Sequence, residues 1–144
     1  MTEIVEITAR MRYPRGEKDF VDYWAKHGRA RGWLVYHTHD SRHSPAGFPD
    51  LVFLRDGAMI VAECKWKRYA RGPKKGEPKG LRVEQVAWLD AFREMGKFAE
   101  QLQAAASWAS QLLSKAMIRP RGPALVRVYV WTPGDEDEMV KVLE

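Results

Sequence analysis

Two acidic residues and a lysine flank an Asp56-Gly57 dipeptide in the middle of this sequence: Asp50 before it, and Glu63 and Lys65 after it. Asp-Gly suits the positive-φ positions of a type I′ turn, so the segment 49–65 is predicted to form a β-hairpin. If the dipeptide is the whole loop, counting outward places Asp50 opposite Glu63. A bulge beside the turn would shift that register.

Two opposed carboxylates in a hairpin repel each other, because their Cβ atoms lie about 5 Å apart. A divalent cation between them would convert the repulsion into coordination, and Lys65 would lie on the same strand face. The neighbouring hairpin residues are apolar on both faces, which predicts strands covered on both sides in a layered α/β domain. The ordinary alternative is a hairpin whose charges face solvent. We interpret the hairpin as a metal-dependent site that cleaves phosphodiester bonds.

The composition predicts one globular domain over residues 1–144. Hydrophobic residues make up 45% of the chain and charged residues 30%, as in ordinary folded proteins. The single cysteine excludes an intramolecular disulfide framework and suits a reducing compartment. No apolar run reaches membrane-spanning length and no signal peptide is predicted, so we expect a cytoplasmic protein with no membrane partner.

Positive charge is concentrated directly after the hairpin. Seven basic residues and one acid give residues 67–82 six net positive charges, one more than the +5 of the whole chain. Residues 66–80 lack apolar periodicity and contain many glycines and prolines, which predicts a mobile, solvated basic loop. Although such loops are often merely solvated, this one favours a nucleic-acid partner. The predicted nucleic-acid contacts here are Lys67, Arg68, Arg71, Lys74, Lys75, Lys79 and Arg82.

A polar loop, residues 40–48, leads into the hairpin and admits two other interpretations. Histidines in and beside the loop could bind zinc, and its serines with Asp40 could form a hydrolase triad. Zinc sites usually add cysteines or carboxylates at defined spacings, and no G-x-S-x-G elbow is present, so both signals are weak. We expect this loop to line the site or contact phosphate. The predicted nucleic-acid contacts here are His39, Arg42, His43 and Ser44.

Apolar periodicity predicts the remaining elements. The predicted helices span 16–31, 81–95, 99–116 and 135–143, and further strands span 33–39 and 124–131. Gly96 is predicted to end the second helix. Residues 1–13 alternate weakly and fit either an edge strand or a loose N-terminal arm. This order favours a small α/β sheet flanked by helices.

The hairpin residues belong to a wider set of motifs. Asp50 ends Gly47-Phe48-Pro49-Asp50, Glu63-Cys64-Lys65 follows, Gln85 lies in the next predicted helix and Glu17 in the first. Together they resemble the PD-(D/E)xK nuclease superfamily, and more narrowly its VRR-NUC branch of virus-type replication-repair nucleases. The closing segment, Val128 to Pro133 with an acidic helix start, is also similar. Two departures are the long basic loop, 66–80, and a helical insertion, 97–123.

The resemblance implies a restriction-endonuclease-like core, with a small mixed β-sheet flanked by α-helices. It also implies a Mg²⁺- or Mn²⁺-dependent endonuclease acting on DNA, with RNA left open and branched or junction DNA as an expected preference. Asp50, Glu63, Glu17 and the Cys64 backbone carbonyl would bind the metal. Lys65 would orient the attacking water or stabilise developing charge, and Gln85 would hold Lys65 or the water.

Assembly and the main alternative function are further expectations. We expect a homodimer, because one domain that cuts two strands often works as a symmetric pair. No small-molecule organic cofactor is expected. The alternative function is a nucleic-acid-binding module that does not cleave and whose carboxylates are vestigial.

Overall fold

The computed structural model describes residues 3–39, 41–43, 45–112 and 125–144. Four helices lie within these ranges: α1 (Glu3–Arg12), α2 (Glu17–Ala30), α3 (Val83–Leu112) and α4 (Glu136–Leu143). The strands are β1 (Leu34–His37), β2 (Leu51–Arg55), β3 (Ala58–Cys64) and β4 (Leu125–Trp131). A short 3-10 helix, Ser41–His43, lies between β1 and β2.

The four strands form one mixed sheet in the order β1-β2-β3-β4. The pairs β1–β2 and β2–β3 are antiparallel, whereas β3 and β4 are parallel. Parallel neighbours need a long crossover, and α3 lies within that connection. The predicted class, an α/β fold with a small mixed sheet flanked by helices, is confirmed.

The predicted hairpin turn has the geometry that its sequence requires. Asp56 and Gly57 both have positive φ, 49° and 82°. Arg55 pairs with Ala58 and Leu51 with Ala62, so the two-residue loop and the predicted register are confirmed. One step further along the ladder, Asp50 and Glu63 come to the same end of the sheet.

One face of the sheet is covered by α1, α2 and α4. Alternate residues of β2 and β3, such as Phe53 and Ile60, point into this layer. Each large apolar side chain buried here stabilises the fold by roughly 1.5–3 kcal/mol. The largest side chains that are fully buried in this layer are Tyr13, Phe20, Trp24, Leu51, Phe53, Trp131, Met139 and Leu143.

The opposite face is covered by α3, mainly over β4 and also over β3. Gly96, which was predicted to end a helix, instead lies inside this 30-residue helix. Its backbone approaches β4 so closely that a Cβ atom would lie 2.7 Å from the Val126 carbonyl oxygen. The prediction of two helices was therefore wrong, because this glycine serves close packing. The predicted insertion at 97–123 continues α3 to residue 112, and its remainder lies outside the described residues.

The N-terminal segment is helical, so neither the edge strand nor the loose arm is correct. Acidic residues occupy the first turn of α1 and arginines its last turn, as the helix dipole favours. Ala9 is buried against the core, which gives this helix a tertiary contact. Strand β1 is also shorter than predicted. Among the described residues, no helix is long and apolar enough to cross a membrane.

Replacing Gly96 with alanine should lower the free energy of unfolding by about 1–2 kcal/mol overall, because the added methyl group overpacks the helix–sheet contact at a cost of about 2–3 kcal/mol. This loss opposes the gain of about 1 kcal/mol in helix propensity. Urea unfolding followed by circular dichroism measures it. Met95→Ala, at the neighbouring position that is 59% exposed, is the control and should change stability by less than about 0.5 kcal/mol. A Gly96→Ala protein as stable as the parent would contradict the close packing.

Candidate active site

A pocket of about 270 Å³ opens at the end of the sheet where β2 begins and β3 ends. The first turns of α2 and α3 reach the same edge. Five residues predicted from the sequence therefore line one pocket: Glu17, Asp50, Glu63, Lys65 and Gln85.

Asp50 is hydrogen-bonded to the backbone at the end of β3. Its Oδ2 accepts a hydrogen bond of 2.9 Å from the Cys64 amide, and its carbonyl accepts one of 3.0 Å from the Thr38 amide. The Cys64 side chain is buried in the core on the other face. Because the N–H and C=O of one residue point to the same side of an extended strand, the Cys64 carbonyl is directed toward Asp50.

Glu63 is the most deeply buried acid of the pocket, with only 2% of its surface exposed. Its Oε1 lies 3.2 Å from Lys65 Nζ and accepts a hydrogen bond of 2.5 Å from Gln85 Nε2. Its Oε2 has no hydrogen-bond partner among the described residues. Burial, and then the charge of Asp50, raise the pKa of Glu63 to about 7. A buried carboxylate oxygen without a partner is costly, so it is available for a ligand.

Gln85 is oriented by the start of α3. Its Oε1 accepts a hydrogen bond of 2.9 Å from the Arg82 amide, as the third helical residue does in a capping box. This leaves the amide NH₂ to donate to Glu63, whereas the resemblance implied that Gln85 would hold Lys65 or the water. Gly47, at φ 91°, passes so close to the Glu84 backbone that a side chain there would clash. The glycine of the Gly47-to-Asp50 motif thus permits the loop to cross the start of α3.

Glu17 lies at the mouth of the pocket, in the first turn of α2. The residue is exposed to solvent, yet loss of water around its carboxyl raises the pKa of Glu17. The charge of Lys65 opposes that shift and the charge of Asp50 adds to it. These couplings place Glu17 within electrostatic reach of both groups.

The donor set of the pocket suits a hard divalent cation. Within the described part of the chain, no three His, Cys, Asp or Glu side chains are arranged to hold a metal ion. Mg²⁺, however, commonly binds one or two carboxylates and keeps waters or substrate oxygens as its other ligands. Asp50 and the unpartnered oxygen of Glu63 fit that kind of site.

The basic loop folds back on itself instead of lying free. Arg68 and Pro78 form an isolated bridge, and Tyr69 and Lys79 donate backbone hydrogen bonds across the loop. The solvated character of the loop matches the prediction, since most of its side chains are exposed. Its internal hydrogen bonds could not be inferred from an aperiodic sequence.

Arg68 is a structural anchor of this loop. Its guanidinium donates to Thr132 Oγ1 at 3.0 Å, to the Gly76 carbonyl at 2.8 Å and to Asp135 Oδ2 at 2.7 Å. Asp135 also accepts from the Thr132 amide at 2.7 Å. Three of its five N–H donors are thus engaged within the protein, so this predicted phosphate contact also has a structural role. Lys67 likewise pairs with Glu6 on α1 at 3.1 Å.

The other predicted cations remain at the surface. Arg82 lines the pocket, and Lys74 and Lys79 lie 5.8 Å from the centre of the Tyr69 ring. Arg82 is thus the member of this set that the structure shows at the pocket, and all five of these cations are exposed: Arg71, Lys74, Lys75, Lys79 and Arg82.

The segment before β2 also contributes residues to the pocket. His39 lines the pocket, and Arg42 and His43 are exposed in the short 3-10 helix. Ser44 and Asp40 lie outside the described residues. His37 Nδ1 lies 3.7 Å from Asp22 Oδ1, a pairing that sequence reasoning missed because the two residues are on different elements. Thr38 and Phe48 also line the pocket. Thr38 was recognisable only as a polar position in a strand.

Comparisons with known proteins identify neither a family nor a relative of this chain. A scan against protein-family models finds no match, and a search of curated proteins finds no matching relative. The chemical interpretation of the pocket depends on its own groups: two carboxylates, an ammonium and an amide on one sheet edge.

In the metal-free protein, the raised pKa of Glu63 should make stability depend on pH. Folded Glu63 keeps its proton up to about pH 7, whereas the ordinary value is 4.5. Between these values the folded state binds more protons than the unfolded state, so the free energy of unfolding falls as pH rises. At about 1.4 kcal/mol per pKa unit, the loss is at most about 3.5 kcal/mol.

Denaturant titrations in EDTA across this pH range measure the effect as the difference between the parent and Glu63→Gln. The glutamine removes this titrating group and should reduce the fall, leaving the part that comes from the raised pKa values of Asp50 and Glu17, which burial of their carboxyls causes. Glu77→Gln, at an exposed acid of the basic loop, is the control and should retain it. Parallel pH profiles for the parent and Glu63→Gln would show that Glu63 does not titrate in this window.

Proposed function

We propose that this chain is a nuclease that hydrolyses phosphodiester bonds in DNA with Mg²⁺ or Mn²⁺ bound at Asp50 and Glu63. The observation that carries the proposal is the buried Glu63 carboxylate, which has one oxygen unpartnered and the other beside Lys65 Nζ. Burying an acid near a second acid is unfavourable for a hairpin built only for stability. The resemblance of these motif residues to PD-(D/E)xK nucleases of the VRR-NUC branch supports the same conclusion.

Each residue of the pocket has a role in the proposed reaction. The bound ion would activate water and offset charge at the phosphorus in the transition state. Lys65 orients the attacking water or stabilises the developing negative charge. Gln85 fixes Glu63 so that its second oxygen stays free for the ion, and Glu17 completes the site from its mouth. The Cys64 carbonyl is the remaining proposed ligand.

The charge distribution supports a polyanionic substrate. Five cations of the basic segment are exposed, and Arg82 among them lines the pocket together with Lys65. DNA carries regularly spaced phosphates that such groups neutralise. We also propose that the protein acts as a homodimer in the cytoplasm on branched or junction DNA; light scattering measures its assembly.

A second candidate function is nucleic-acid binding without cleavage. It is favoured by the Lys65–Glu63 pair, since the ammonium at 3.2 Å compensates the buried charge without a metal. Both candidates bind DNA through the same cations. They differ in whether the phosphodiester bond is broken when Mg²⁺ is added.

Purified protein incubated with linear, flapped and four-way-junction DNA should cleave in Mg²⁺ or Mn²⁺ and not in EDTA. Asp50→Asn and Lys65→Ala should each lower the rate at least about 100-fold, because each removes a group that stabilises the transition state. Both variants should keep the parent's circular dichroism and DNA affinity. Asp90→Asn, at an exposed acid on α3, is the matched control and should cleave normally. Full activity in Asp50→Asn would end the nuclease proposal.

DNA affinity measured in EDTA at several salt concentrations tests the cationic surface. If the five exposed cations each neutralise one phosphate, log K should fall with log[salt] with a slope near −4.5. Lys75→Gln should reduce the magnitude of that slope by about 0.9. Lys141→Gln, at an exposed lysine on α4, should leave the slope unchanged. A slope insensitive to Lys75→Gln would remove this loop from the DNA contact.

A further inference from the structure

A row of aromatic side chains leads out of the pocket. Phe48 lines the pocket, and its ring centre lies 6.0 Å from that of Tyr36 in an edge-to-face contact. On the other side Phe48 contacts Trp88 at 5.2 Å and Phe92 at 6.1 Å, both on α3. Trp88 is itself fixed by a hydrogen bond of 3.1 Å from its indole N–H to the Ala46 carbonyl. The helix thus braces Phe48, and Tyr36 is the outer end of the row.

Tyr36 lies on the same sheet face as the two carboxylates. It pairs with Val52 across β1 and β2, and Asp50 lies two residues before Val52, directly ahead of β2. Successive side chains on one strand face are about 7 Å apart, so the Tyr36 ring begins one such step from the level of the acids. Helix α3 lies over β4 and β3, which leaves Tyr36 56% exposed.

The surroundings of this ring combine a flat apolar surface with positive charge. Lys65 and Arg82 line the same pocket as Phe48, the ring that Tyr36 contacts. A ligand that offers a phosphate to the pocket and a flat ring beside it is a nucleotide whose base is unpaired. The aromatic residues of the basic loop are less suited to stacking, because Arg10 covers Trp66 and lysines flank Tyr69.

We infer that Tyr36, braced by Phe48, stacks on an unpaired base next to the phosphate held in the pocket. The inference rests on the proposed function and deepens it, since it selects substrates with unpaired nucleotides beside the cleavage point. Tyr36 is then a specificity-determining residue and takes no part in the bond-breaking step. Stacking suits this role because every base offers a π face, whatever its identity.

Leu34 and Leu54 lie on the same face, 75% and 46% exposed, and a second copy of this chain is the other occupant that this surface could take. Such an interface would cover the leucines together with Tyr36. A stacked base would involve Tyr36 and leave Leu34, two residues further along β1, outside the contact. The two occupants therefore predict different effects of Tyr36 and Leu34 substitutions.

The experiment uses the full chain in EDTA, so that binding is read without cleavage. The probe is a DNA duplex with a short single-stranded tail whose first unpaired nucleotide is 2-aminopurine, and a fully paired duplex carries the same fluorophore as reference. Stacking of this base on Tyr36 should quench the 2-aminopurine fluorescence of the tailed probe when the protein binds. Tyr36→Ala should abolish the quench and weaken binding of the tailed probe about tenfold, with the paired duplex changed less than about twofold.

Two further variants separate stacking from apolar contact. Tyr36→Phe keeps the π face and should preserve quenching and affinity, whereas Tyr36→Leu should lose both. Leu34→Ala is the matched control on the same strand face and should behave as the parent. The inference is overturned if Tyr36→Ala leaves the tailed probe unchanged, or weakens both probes equally. It is also overturned if Tyr36→Ala and Leu34→Ala both lower the molecular mass in light scattering, which would assign the face to a second copy.

Failure of this inference is distinguishable from failure of the nuclease proposal. A protein that quenches the tailed probe through Tyr36 but never cleaves with Mg²⁺ retains the stacking site and loses the catalytic assignment. One that cleaves, but treats both probes alike in Tyr36→Ala, retains catalysis and loses the stacking site.

Discussion

The burial of one carboxylate, that of Glu63, constrains most of the surrounding structure. Its Oε1 is contacted by the amide of Gln85 on α3 and by the ammonium of Lys65, the residue after β3. Its Oε2 has no partner among the described residues. These contacts require that α3 begins beside the sheet edge and that β3 ends there. A buried charge without these partners would cost several kcal/mol. The position of α3 is thus set by polar contacts at its start as well as by apolar packing along its length.

Two close backbone approaches allow α3 to begin beside the sheet edge. Gly47 lets the loop before β2 cross the first turn of the helix, and Gly96 lets the middle of the helix lie directly on β4. Between them, Leu89 is buried against the sheet. The two glycines hold the helix at a short distance from the sheet, so Gln85 reaches Glu63 without a change in the strand register.

Local signals predicted well those parts that local chemistry decides. Asp56-Gly57 determined the turn and hence the register, and alternation then put Glu63 on the face opposite Cys64. Tertiary contacts decided the rest. Gly96 had the sequence features of a helix end, but packing on β4 overrode them, and Arg68 resembled a surface cation until its partners 64 and 67 residues away were known. Weak alternation in α1 concealed a helix that the core stabilises through Ala9.

The anchoring of Arg68 gives the C-terminal part of the chain an influence on a distant surface. Thr132 and Asp135 belong to the junction of β4 and α4, whereas Gly76 belongs to the tip of the basic loop. Arg68 therefore joins the start of the last helix to the loop that carries the exposed lysines. The last helix thereby helps to shape the cationic surface, although it contributes none of the residues predicted to contact DNA.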